Sequence, residues 1–187
     1  NFPVPPGFVL TTEIFRCLEA ILGYKEIYRD MNMRLERELK KLEKITRRRY
    51  GHPQNPLLLS VRSGSAISLP GMMSSFLNVG INEEIAEGLS QKKGYAWAAW
   101  DCYRRFLQFW GMSEGLDRDF FDEIIDDFKE KYKVSKQLYF TPDQMREIAL
   151  AYRKALENNG IAVEDDPNEQ LRKAVFKVIE SWHSPRA

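Results

Sequence analysis

The segment best suited to chemistry begins at Arg62. This residue ends an apolar run, Leu57-Leu58-Leu59-Ser60-Val61, and leads into Ser63-Gly64-Ser65-Ala66-Ile67-Ser68-Leu69-Pro70-Gly71-Met72-Met73-Ser74-Ser75. An arginine fixed at a strand end can hold phosphate oxygens through two parallel N–H donors. Gly64 and Gly71 let backbone N–H groups approach an anion and form a concave nest. Ser63, Ser65, Ser74 and Ser75 add hydroxyl donors. The set suits a polyphosphate. Composition alone favours a plainer explanation, a Ser/Gly surface connector with Arg62 in a structural salt bridge, so the order of the residues has to decide.

The elements that must position this segment are mostly helical. Pro3, Pro5, Pro6 and Gly7 form an extended lead-in, and residues 8–12 (Phe-Val-Leu-Thr-Thr) read as a short strand. From Glu13, the residues Ile14, Phe15, Leu18, Ile21 and Leu22 share one helical stripe. After Gly23 a second helix is expected to reach about Arg49, burying Tyr28, Met31, Leu35, Leu39, Leu42 and Ile45. Its solvent face pairs Glu36 with Lys40 at i,i+4. The continuous apolar run 57–62 reads as a strand buried on both faces.

After Asn82 the pattern is helix and turn throughout. Tyr95 to Trp110 places Trp100, Tyr103, Phe106, Leu107 and Trp110 on one side, and Asp119 to Lys131 buries Phe120, Phe121, Ile124, Ile125 and Phe128. Thr141-Pro142-Asp143-Gln144 is a capping box with proline at the first helical position, and that helix leaves through Asn158-Asn159-Gly160. Asp166-Pro167-Asn168-Glu169 repeats the start signal before the stripe Leu171, Val175, Val178, Ile179 and Trp182. The layout predicts an α+β, predominantly helical fold, with a helical insertion.

Composition narrows the function. Lys+Arg number 28 against 27 Asp+Glu over 187 residues, a net charge of +1. A nucleic-acid binder needs a basic surplus to displace counterions, so none is expected. No apolar run has the length of a membrane span, and no signal peptide is evident. Cys17 and Cys102, distant and inside apolar patterns, read as reduced, buried thiols suited to the cytoplasm, and with only two histidines they form no metal site. The basic cluster Lys40, Lys41, Lys44, Arg47, Arg48 and Arg49 complements a helix C-terminus. Arg104 and Arg105 read as a structural ion pair between helices, and Asp126-Asp127 and Asp165-Asp166 carry no acid–base role.

The order of residues is more specific. Ser60-Val61-Arg62-Ser63-Gly64-x-Ala66-x-Ser68-x-Pro70-Gly71-Met72-Met73 closely resembles the signature of the pyruvate, phosphate dikinases, as does Leu77-Asn78-x-Gly80. Val4-Pro5-x-Gly7-Phe8-x-x-Thr11-Thr12-Glu13, Tyr103-Arg104-Arg105-Phe106 and Ser181-Trp182-x-x-Pro185-Arg186-Ala187 resemble the same family in the same order. Phosphoenolpyruvate synthases fit less well, with Gly64 in place of a second serine and Ser68-Leu69 in place of an acidic pair.

The resemblance implies part of an ATP-grasp-like nucleotide-binding lobe over 1–82, a helical insertion subdomain over 83–166 and a helix returning to the lobe over 167–187. It also implies a phosphotransferase that converts ATP, phosphate and pyruvate into AMP, pyrophosphate and phosphoenolpyruvate through a phosphohistidine on another domain. Arg62 would contact the ATP phosphates and act catalytically, with Ser63, Gly64, Gly71, Met72, Met73, Ser74 and Ser75 lining the phosphates. Mg2+ ligands, the carrier histidine and the pyruvate-binding barrel would lie outside this chain. The sequence is therefore expected to be a segment of a longer protein, inactive by itself. The family usually has Asp-Thr where this chain has Ser74-Ser75. That departure leaves room for altered loop closure or metal organisation. It also keeps open an alternative, a non-catalytic helical interaction module of a divergent paralogue.

Overall fold

Helix formation starts at Glu13. The computed structural model describes residues 4–64 and 75–181, the side chain of Phe15 excepted. By contact density the chain divides into two units, Asn1–Tyr50 and Gly51–Ala187.

In the first unit, α1 (Glu13–Gly23) packs against α2 (Lys25–Thr46), and β1 (Arg49–Tyr50) follows. Met31, Leu35, Leu39 and Leu42, spaced four, four and three residues apart, are the buried stripe of α2. The expected face was too wide. Ile45 is 67% exposed and Leu22 61%, because only a narrow wedge of each helix is covered. Helix α2 also stops earlier than its basic tail suggested: Arg47 adopts a left-handed conformation (φ 55°). On the exposed face Lys41 pairs with Glu38 at 2.8 Å. The strand expected at 8–12 does not form. Residues 4–11 are irregular and Val9 is 85% exposed, since a strand needs a ladder partner and no described residue supplies one. Cys17, expected to be buried, is exposed on α1.

The second unit is built around α4 (Ala96–Ser113), which packs on α3 (Glu83–Ser90), α5 (Arg118–Tyr132), α6 (Pro142–Asn158) and strand β4 (Ser75–Val79). Trp100, Tyr103, Phe106, Leu107 and Trp110 are all buried, as the stripe required. Each such side chain contributes on the order of 1.5–3 kcal/mol of burial free energy. Trp110 stacks edge-on against Phe76 and donates its indole N–H to the Ala162 carbonyl at 3.1 Å. Close packing needs glycine at two places. A Cβ on Gly111 would lie 2.5 Å from Leu156 Cδ2 and 2.6 Å from Phe121 Cζ, and one on Gly88 would lie 2.6 Å from Pro53 Cβ and 2.8 Å from its carbonyl oxygen.

The helix signals are realised bond by bond. Thr141 Oγ1 accepts from the Gln144 N–H at 3.3 Å while Gln144 Oε1 accepts from the Thr141 N–H at 2.8 Å. At the other end Ile161 N–H donates to Leu156 C=O and Gly160 N–H to Glu157 C=O, with Gly160 at φ 72°. These are the two bonds of a Schellman exit. Helix α7 (Pro167–Ser181) starts behind Asp166, whose Oδ1 accepts from the Glu169 N–H at 2.9 Å. Trp182, expected in its stripe, lies outside the described residues. The result is predominantly helical with short strands, an α+β chain. Among the described residues no helix is long and apolar enough to cross a membrane.

Candidate functional site

Strand β3 (Leu59–Arg62) pairs antiparallel with β4, the only partner of either among the described residues, placing Leu59 opposite Val79, Val61 opposite Phe76 and Arg62 opposite Ser75. Two steps along β3 therefore face three along β4, so β4 carries one extra residue, a β-bulge. The bulge explains the burial. Phe76 and Val79 are both fully buried, although three residues apart they would face opposite sides of a regular strand. Asn78 takes up the left-handed conformation (φ 58°) that asparagine tolerates better than most residues. Its Nδ2 donates to the Cys102 carbonyl of α4 at 3.0 Å.

The end of β4 is gripped by one buried amide. Gln170 of α7 has no exposed surface. Its Oε1 accepts from the Gly80 N–H at 2.9 Å, and its Nε2 donates to the carbonyls of Ile81 and Glu164 at 2.9 and 2.6 Å. Helix α7 also packs along both β3 and β4. The hairpin thus joins the helical block at its base, while Arg62 and Ser75 stand opposite each other at the other end of the ladder.

The strand is not buried on both faces as its apolar run suggested. Leu59 and Val61 are half-buried, and Ser60 and Arg62 are exposed. An antiparallel pair covered on one side gives that alternation. The Arg62 side chain meets no described residue in an ion pair or hydrogen bond, so the structural salt bridge weighed against phosphate binding has no partner among them. Ser63 and Ser75 are half-buried and Gly64 is exposed. Gly71, Met72, Met73 and Ser74 lie outside the described residues.

Elsewhere the charges serve the core. Arg104, 5% exposed, donates through Nε and Nη2 to Asp101 Oδ1 at 2.9 and 2.7 Å and through Nη1 to Gln108, and its guanidinium lies over the Tyr152 ring. The expected ion pair between helices is therefore an i,i+3 pair inside α4, and the link to α6 is a cation–π contact. A cleft of about 550 Å³ is lined by Asn82, Glu83, Lys154 and the trio Arg153, Glu157 and Asp165. Arg153 grips Asp165 through two bonds of 2.6 and 2.9 Å, which holds its pKa above the usual arginine range. Its charge is consumed within the fold. Burial raises the Cys102 thiol and the Tyr103 phenol above their ordinary values. Among the described residues no three His, Cys, Asp or Glu side chains converge to hold a metal ion.

Gln170 was not singled out from sequence, although a signal existed. It occupies the position four before Ala174 on the stripe continued by Val178, where an apolar residue would be expected.

No family model matches the chain. Curated relatives do. A pyruvate, phosphate dikinase of Giardia intestinalis is 38% identical over 192 aligned residues, which is 100% of this chain and 21% of that protein. One of Clostridium symbiosum is 36% identical over 100% of the chain and 22% of its own length. A chloroplastic one of Mesembryanthemum crystallinum is 38% identical over 98% of the chain and 19% of its own length. The chain spans about a fifth of the length of these relatives. Over its whole length it belongs to the same sequence family as that stretch of the pyruvate, phosphate dikinases.

Proposed function

We propose that the chain is the part of a pyruvate, phosphate dikinase-like phosphotransferase that holds the phosphates of ATP. One observation carries this reading: Arg62 stands exposed opposite Ser75 at the far end of the ladder, its side chain unpaired by any described residue. An unpaired guanidinium beside a hydroxyl, at the ends of the segment with the family-like signature, suits developing charge on transferred phosphoryl oxygens. Arg62 neutralises that charge, Ser63, Gly64 and Ser75 position the polyphosphate from the strand ends, and Gly71, Met72, Met73 and Ser74 complete the phosphate-binding set that the family resemblance implies.

In this reading residues 1–82 belong to an ATP-grasp-like lobe, 83–166 to a helical subdomain and 167–187 to a helix returning to the lobe. ATP supplies the phosphoryl group, which passes to a histidine on another domain and then to pyruvate at a third. Among the described residues no carboxylate cluster converges to hold Mg2+, and in this reading its ligands belong to other parts of the parent protein.

The test is calorimetric titration of the full-length parent protein with Mg-ATP, beside Arg62→Ala and Arg62→Lys. Loss of a charged hydrogen-bonding partner predicts a weakening of about 10- to 100-fold for Arg62→Ala. Arg62→Lys should recover part of it, because lysine keeps the charge but not the two-pronged geometry. Unchanged affinity in folded Arg62→Ala sinks the reading. The helical block docking another protein would then be the function to pursue.

A further inference from the structure

We propose that Gln170, acting with the Asn78 bulge, is a positioning residue for the nucleotide phosphates: it sets the direction of the β3–β4 hairpin and thereby where Arg62 and Ser75 stand. The proposal rests on the phosphate-site reading of Arg62. It needs nothing from the loop between the strands.

Three observations converge. First, a two-stranded ribbon has little stability of its own, so its direction has to be set by what holds its base. Second, the base is bonded to the helical block at two points, once through a side chain of β4 and once through a side chain of α7. The Asn78 amide reaches the Cys102 carbonyl of α4, and Gln170 of α7 binds both the Gly80 N–H and the Ile81 carbonyl. Third, the bulge contains the Asn78 anchor and lies between the Gly80–Ile81 anchor and the Arg62–Ser75 end, where it alters which face of β4 each residue occupies. The pairing Arg62–Ser75 is therefore reached from the anchors through only a few residues of β4. A buried amide with both ends satisfied gives a fixed angle, where an apolar side chain would give packing without direction.

The Gln170 amide also holds the Glu164 carbonyl, so the segment before α7 and the strand end are clamped by the same group. That argues for a joint that sets orientation rather than for a generic core contact.

The experiment is a double-mutant cycle on Mg-ATP affinity in the full-length protein, using Gln170→Met and Arg62→Ala. Methionine keeps the length of the side chain and removes its donors and acceptor. A positioning role predicts that Gln170→Met weakens binding about tenfold when Arg62 is present and about twofold at most when position 62 is alanine. The same factor in both backgrounds overturns the proposal, since a purely structural defect lowers the folded fraction regardless of Arg62. Wild-type affinity in folded Gln170→Met overturns it as well. If Gln170→Met fails to fold, Asn78→Gly takes its place in the same cycle with the same two outcomes, because glycine keeps the left-handed backbone and removes only the tether to Cys102. If Arg62→Ala binds as wild type, the phosphate-site reading falls and this proposal with it. A loss in Arg62→Ala with none in Gln170→Met overturns this proposal alone.

Discussion

Replacing Gly88 with alanine should destabilise the protein, against the usual rule for helices. Gly88 lies inside α3, where alanine is normally better than glycine by about 1 kcal/mol. Here the new Cβ would sit 2.6 Å from Pro53 Cβ, 2.8 Å from its carbonyl oxygen and 2.9 Å from its carbonyl carbon. Comfortable contacts between such atoms are roughly 3.5–4.0 Å, so the helix or the 51–57 segment has to retreat by about 1 Å. Overpacking of this kind costs about 1–3 kcal/mol, towards the upper end when backbone must shift. After the propensity gain is subtracted, the net loss is about 1–2 kcal/mol. For a chain of this size that lowers Tm by roughly 2–8 °C. Thermal unfolding followed by circular dichroism, with urea unfolding to check an unchanged slope, measures it. A Tm equal to or above wild type would refute the close approach of Pro53 and with it the packing of the segment that leads into β3.

Two further outcomes follow from hydrogen bonds and their pKa consequences. Tyr152→Phe should cost about 1 kcal/mol, because the Tyr152 hydroxyl donates to the Phe121 carbonyl at 2.7 Å inside the core while that carbonyl keeps its helical position in α5. Burial pushes the Tyr152 phenol up to about 12 and raises Tyr103 as well, so an ultraviolet titration of Tyr152→Phe should lose a tyrosine that ionises well above pH 10 in wild type. The stability it contributes is complete below pH 10 and is lost as pH rises towards 12. Glu164, whose carboxylate accepts from Lys173 Nζ at 2.7 Å, is held below its ordinary 4.5 by that bond. Its contribution is therefore present above pH 4.5 and disappears as pH falls through the lower folded value. The Tm gap between wild type and Glu164→Gln, worth about 0.2–1 kcal/mol for a pair this exposed, should close under acid. A gap that widens under acid would contradict the assignment.

What the sequence disclosed, and what it hid, follow physical lines. Thr141 with Gln144, and Asn158-Asn159-Gly160, are local signals whose partners lie within five residues, and both appear bond for bond. The aromatic stripe of α4 was legible because helical period alone determines a face. Residues 8–12 and 57–62 were misjudged, since whether an apolar run forms a strand, or is covered on one side or two, depends on partners far away in sequence. The bulge at Asn78 was hidden because Phe76 and Val79 fit no period of two. Cys17 was misplaced for a similar reason: a short amphipathic helix does not reveal how wide a wedge will be covered. Of the candidate site, Arg62 and Ser75 were legible from residue order and are brought together across the ladder. The clamp that holds their strand was not, because Gln170 acts from ninety residues away through the backbone of Gly80.

In the proposed function the Arg62–Ser75 end of the hairpin recognises phosphates rather than any other part of the nucleotide. Calorimetric titrations of wild type and Arg62→Ala with Mg-ATP and with adenosine test it most directly. The substitution should weaken Mg-ATP about 10- to 100-fold and leave adenosine binding as it was. Equal losses for both ligands, or no loss for Mg-ATP in a folded variant, would contradict it.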